Sequence, residues 1–134
     1  MGNPILYYSL SGHTAQHAKN FAAANGGDLI EIKPVGKMGK FKAYVVGGLN
    51  AIRGKAMPIK PIETDLSQYG EVVIFSPVWA NGIAPPMTAV VEQLSRGTKV
   101  SLHLVSASGK SGKERITARL AALGLEIRDY EDIK

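Results

Sequence analysis

The stretch PILYYSLSGHT, residues 4–14, decides how this chain folds. Residues 4–8 form a short apolar run that stops abruptly at a turn of hydroxyl-bearing and glycine residues, as a buried parallel strand does where it feeds a helix. Ala15, Ala18, Phe21 and Ala22 then recur at helical spacing. Asn25-Gly26-Gly27 closes the helix with residues that tolerate positive φ.

Outward from this unit the pattern repeats. DLIEIK, residues 28–33, reads as a second strand, and Phe41, Tyr44, Val45, Gly48 and Ile52 give a second helix with a narrow apolar stripe. Pro58 and Pro61 punctuate the return to the sheet. EVVIFS, residues 71–76, has four consecutive apolar positions, the mark of a central strand covered on both faces. Pro85 and Pro86 suit a first helical turn, and Met87, Val90, Val91 and Leu94 form its buried face. KVSLHLV, residues 99–105, is strand four. Ser111 with Glu114 fits a capping box, Ile116, Leu120 and Leu123 form the stripe of the last helix, and Gly124 falls where a C′ glycine belongs. LEIRDY, residues 125–130, is strand five. Five strands alternating with four helices predict one α/β domain over residues 1–134, a doubly wound parallel sheet with right-handed crossovers.

Composition narrows the function. The chain has 134 residues, 45% of them hydrophobic, and no cysteine, so it can bury one sizeable core without disulfides, thiolate metal sites or a thiol nucleophile. No apolar run has the length of a membrane span, and MGNPILYY has neither a signal-type start nor the Ser or Thr at position 6 that myristoylation favours. A cytoplasmic protein is expected. The net charge of +5 is concentrated in one acid-free stretch containing Lys33, Lys37, Lys40, Lys42, Arg53, Lys55 and Lys60. Such a stretch reads as the solvated face of a crossover, with an anionic-partner surface as the alternative.

In an open parallel sheet, ligands bind beyond the carboxyl ends of the strands. The loops there are SLSGHT, PVWANG and SASGKS. The first, Ser9-Leu10-Ser11-Gly12-His13-Thr14, offers three hydroxyls and a run of backbone N–H groups at a helix N-terminus, a combination that favours a phosphate group. An ordinary capping turn would need one hydroxyl. Trp79, the only tryptophan, sits in a polar loop, where it could stack on an aromatic ligand or pack in the core. Asn81-Gly82 is either a simple turn or a peptide that changes turn type at low cost. Gly109-Lys110-Ser111 lacks the earlier glycine of a Walker A loop, since position 104 is Leu104. His13 and His17 have no third metal ligand near them in sequence.

The run Tyr8-Ser9-Leu10-Ser11-Gly12-His13-Thr14 directly after an N-terminal strand resembles the FMN-phosphate loop of the flavodoxin family. FKAYVVGGLNAIRGK and SPVWANGIAPPM are similar to further segments of that family, in the same order, so the resemblance covers about residues 4 to 125. It implies a flavodoxin-like fold and a non-covalent FMN. By the same resemblance, Ser9, Ser11, Gly12, His13 and Thr14, with the Leu10 N–H, would hold the phosphate. Pro77, Val78, Trp79, Ala80, Asn81 and Gly82 would line the isoalloxazine, and Ser106, Ala107, Ser108 and Gly109 would meet its other edge. In flavodoxins a peptide such as Asn81–Gly82 rearranges when the flavin takes up one electron.

The sequence departs from that family in three ways. It carries no fifth helix after strand five, which predicts a half-polar sheet face beside the first helix, either solvated or covered by a second copy in a homodimer. In strand five, Leu125, Ile127 and Asp129 are expected on one face and Glu126, Arg128 and Tyr130 on the other. SASGKS lacks an aromatic residue to cover the second flavin face, and the basic balance predicts a less reducing flavin than in acidic flavodoxins. The leading expectation is an FMN-binding electron carrier serving a redox partner protein or small acceptor, with no nucleic acid or membrane partner. The alternatives are an FMN-dependent NAD(P)H oxidoreductase acting on a quinone-like acceptor, and a non-redox interaction module using the basic crossover.

Overall fold

Segments apolar on both faces need cover on both faces, and they occupy the middle of the sheet. Pro4–Tyr7 forms β1, buried at every position. It pairs in parallel with β2 (Asp28–Glu31) on one side and β3 (Glu71–Trp79) on the other. A two-residue strand, β4 (Gly82–Ile83), folds back antiparallel on the end of β3. Beyond β3 lie β5 (Lys99–Val105) and then β6 (Glu126–Ile133), both parallel. The order is β2-β1-β3-β5-β6. The computed structural model describes residues 3–35 and 56–134. The helix expected at Phe41–Ile52, most of the basic stretch and FKAYVVGGLNAIRGK lie outside the described residues.

Helices cover both faces of this sheet. On one face, α2 (Pro85–Glu92) and α3 (Lys113–Ala122) pack over Leu6, Ile74, Val100, Leu102 and Leu104. On the other, α1 (His13–Asn25) packs Ala18 and Phe21 against Ile5, Tyr7, Val73 and Phe75. Alternation along β5 follows from this division, with Ser101 and His103 on the α1 face. The half-polar face expected beside the first helix is present as a groove of about 350 Å³ between α1 and β6, lined in part by Phe21, Ser101, Arg128 and Asp129.

Three sequence expectations are corrected. Strand three runs on through Pro77 and Val78 to Trp79, because β4 supplies it with a hairpin partner. The capping box of the last helix does not form: Gly112 is the N-cap without a side-chain bond, since the Ser111 hydroxyl is taken by Tyr130 and Asp132 of β6. Strand five extends to Ile133, and its two faces are not those read from simple alternation. Val100 pairs with Ile127 but Ser101 pairs with Asp129, so Arg128 is an extra residue in a β-bulge. One extra residue reverses every face beyond it. Tyr130 therefore joins Ile127 on the α2–α3 side, and Asp129 faces α1 beside Ser101, whose hydroxyl donates to its carboxylate at 3.2 Å.

Candidate functional site

The chain leaves β1 for β2 on one side and continues to β3, β5 and β6 on the other, so the sheet reverses direction between β1 and β3. Loops on either side of that reversal diverge and leave a crevice at the strands' carboxyl ends. The loops after β1, β3 and β5 meet there. Tyr8 and Trp79 touch edge to face at 5.8 Å, joining the first to the second. The Gly112 N–H donates to the Asn81 carbonyl at 2.7 Å, joining the second to the start of α3.

In the first loop, the Ser9 hydroxyl accepts from the Gly12 N–H at 2.9 Å and closes the turn. Gly12, the N-cap of α1, has φ 96°, a left-handed conformation that suits glycine. No side chain caps α1 and its first turn carries no acidic residue. Its leading N–H groups and positive dipole end are thus left to an outside acceptor. Ser11, Gly12 and His13 are exposed, Leu10 is half-buried, and Thr14 is buried. The three hydroxyls read as equivalent in sequence are therefore distinct: Ser9 braces the turn, Ser11 faces outward, and Thr14 lies inside.

The second loop is a two-residue hairpin. Ala80 and Asn81 have φ of 51° and 64°, and β3–β4 pairing places Trp79 opposite Gly82, the signature of a type I′ turn. The left-handed residues are thus Ala80 and Asn81, and Gly82 is buried strand. The Asn81 carbonyl, for which the sequence left open a simple turn or a peptide that changes turn type, is bonded to the Gly112 N–H. Trp79 is buried in the core cluster against Tyr8, so the core reading of its ring holds in this structure. Burial also raises the Tyr8 phenol pKa. Pro77 and Val78 are half-buried, while Ala80 and Asn81 are exposed at the turn's tip.

In the third loop, the Ser106 N–H extends the sheet ladder to the Ile133 carbonyl at 2.9 Å. The Ser106 and Ser108 hydroxyls both accept from the Lys110 N–H, at 3.1 and 3.2 Å. Gly109 turns the chain at φ 70°. Ala107 and Ser108 are exposed, and no aromatic side chain belongs to this loop.

Sequence reading missed several groups that shape the site. Ser76, fully buried, accepts from the Ala84 N–H at 3.1 Å and donates to the Pro77 carbonyl at 2.9 Å, fastening the start of α2 to the hairpin. Gly112 and Arg115 reach the turn from α3, Arg115 Nη2 donating to the Ala80 carbonyl at 3.4 Å. Only the bracketing of the turn between two hydroxyl-containing loops hinted at them.

The strand order, the helices on both faces and the crevice at the sheet's reversal define a flavodoxin-like fold. Solved structures agree. The chain is similar to a flavoprotein from Lactobacillus acidophilus NCFM crystallised in complex with FMN: TM-score 0.77, 24% identity, 96% of this chain and 91% of that one. It is similar to the apo-form of the flavoprotein from the same organism, with TM-score 0.66 and 20% identity over 98% and 93% of the two chains. A Streptococcus pneumoniae TIGR4 flavodoxin matches with TM-score 0.55 and 10% identity over 100% and 85%. No protein-family model and no curated protein matches this chain. Among the described residues, no helix is long and apolar enough to cross a membrane, and no cluster of three or more His, Cys, Asp or Glu is arranged to hold a metal.

Proposed function

We propose that this chain binds FMN at the crevice and works as an electron-transfer flavoprotein in the cytoplasm. The observation that carries the reading is the uncapped, acid-free N-terminus of α1 behind the Ser9–Gly12 turn, at the point where the sheet reverses. The residues present fit the cofactor. The Ser11 hydroxyl and the N–H groups of Ser11, His13 and Thr14 would hold its phosphate, with Leu10 contributing its own N–H and Ser9 bracing the loop through the Gly12 N–H. The residues from Pro77 to Gly82 would border its ring on one side and Ser106 to Gly109 on the other. FMN, when bound, supplies one- and two-electron transfer; the protein supplies orientation and exclusion of water. The FMN complex of a protein with the same fold supports the assignment.

A second reading, an FMN-dependent NAD(P)H oxidoreductase with a quinone-like acceptor, is favoured by one feature. The exposed residues of the third loop, Ala107 and Ser108, are small and leave room over one side of the crevice.

Titration of the purified protein with FMN and with riboflavin tests the main reading. Saturable FMN binding with a perturbed visible spectrum is expected, and Ser11→Ala should weaken FMN about 5- to 20-fold while leaving riboflavin unchanged, as befits a lost charge-assisted hydrogen bond. No affinity for FMN would overturn it. Bleaching of the bound flavin by NAD(P)H alone would select the oxidoreductase.

A further inference from the structure

The turn after β3 is held by α3 rather than by its own glycine. Its two central residues, Ala80 and Asn81, are non-glycine residues with positive φ, a conformation that persists only where surroundings impose it. Both of their carbonyls are bonded from α3: Asn81 to the Gly112 N–H at 2.7 Å and Ala80 to Arg115 at 3.4 Å. Gly112 also accepts from Ile116 at 3.0 Å, so the residue that opens the helix is the one that grips the turn.

Gly112 is itself fixed from the far edge of the sheet. The neighbouring Ser111 hydroxyl donates to Asp132 Oδ1 at 2.6 Å. It has one proton, so the Tyr130 hydroxyl must donate to Ser111. Tyr130 and Asp132 reach this side only because the bulge at Arg128 turns them to it. The approach of the two backbones is tight: a Cβ on Gly112 would lie 2.8 Å from the Asn81 carbonyl oxygen. Its φ and ψ, −78° and 69°, are open to other residues, so contact with Asn81, not backbone conformation, demands glycine here.

We infer that Gly112 is a positioning residue: its N–H, aimed by the tie from Ser111 to Tyr130 and Asp132, fixes the direction of the Asn81 carbonyl at the turn that would border the flavin ring. This rests on the FMN reading above. A peptide so held resists reorientation, and the latch, not a mobile glycine, sets how the turn answers a change in the ring's charge. The ring end of the site is thereby governed from β6, independently of the phosphate end at α1.

Ser111→Ala, which loosens the latch without a clash, and Gly112→Ala, which displaces the Asn81 carbonyl, test this. FMN and riboflavin affinities are measured by fluorescence titration, and the two one-electron potentials of bound FMN by spectroelectrochemistry. Both variants should weaken FMN and riboflavin by the same factor, about five- to tenfold, the worth of one hydrogen bond. They should also change the separation of the two potentials and leave the ratio of FMN to riboflavin affinity as in the wild type. Folded Ser111→Ala protein with unaltered ring affinity and potentials, or with a lowered ratio, overturns the inference while the FMN reading stands. Wild-type protein that binds neither flavin overturns both.

Discussion

The imidazole of His103 lies flat against the ring of Phe75, with centroids 4.4 Å apart and planes within 7°. Phe21 of α1 tilts against it at 5.2 Å, and Glu131 of β6 stands 3.7 Å from Nδ1. Desolvation between the two aromatic rings pushes the His103 pKa below the ordinary imidazole range, while the Glu131 and Asp129 carboxylates pull it up less strongly.

A folded pKa below the unfolded one makes stability depend on pH with a definite sign. As pH falls, the unfolded chain takes up the proton first, from about pH 6.5 downward. Stability should therefore decline as pH drops through the window between the unfolded and folded values, and level off below it. Urea midpoints at pH 7.5 and 5.5 would record the decline, and His103→Gln should reduce it. A midpoint that rises on acidification would contradict the assignment.

Ser76 carries a second prediction. Ser76→Ala leaves the buried N–H of Ala84 without its acceptor, and an unpaired buried donor costs about 1–3 kcal/mol. Chemical denaturation should register a loss of that size, although the volume change is a single oxygen.

At the hairpin, Ala80 holds φ 51° without the side chain that tolerates it best. Asn visits the left-handed region more readily than Ala, so Ala80→Asn should stabilise the flavin-free protein by about 0.5–1 kcal/mol. A loss of stability would show that the turn is not type I′ in solution.

Two adjacent glycines should respond differently to the same change. At Gly27, φ 116°, a Cβ would stand 2.7 Å from the Asn3 carbonyl oxygen and 2.8 Å from Ile5 Cδ1, whereas at Gly26, φ 77°, it would meet nothing within 4 Å. Gly26→Ala should cost about 1 kcal/mol for backbone strain alone, and Gly27→Ala clearly more, because β1 must shift as well. Thermal unfolding of the two variants side by side would separate the terms.

The sheet was legible because its signals are local: an apolar run, a turn, a helical stripe, repeated. PILYY, VVIF and the alternation in KVSLHLV each state their own burial. The turn between β1 and α1 was legible for the same reason, since Ser9, Gly12 and the start of α1 are neighbours in the chain. What could not be read depends on partners far apart in sequence. Ser111 and Glu114 form a plausible cap until Tyr130 and Asp132 compete for the hydroxyl. Trp79 reads as a loop residue until β4 makes its loop a strand and Tyr8 closes on its ring. Asn81-Gly82 reads equally as a simple turn or a movable peptide until Gly112 is found on its carbonyl. The bulge at Arg128 leaves one small mark, the paired polar residues Arg128-Asp129 between Ile127 and Tyr130, which a reading by strict alternation passes over.

That single unpaired residue gives the last strand its polarity. Were Arg128 kept but drawn into a regular ladder, it would stand opposite Ser101 and Asp129 opposite Leu102, sending Tyr130 toward α1 and Asp129 into the apolar side occupied by α2 and α3. A carboxylate would then be buried where a phenol had been, and the start of α3 would lose its anchor. In this protein a flaw in the hydrogen-bond ladder is a condition of the fold, and repairing it would be the more damaging change.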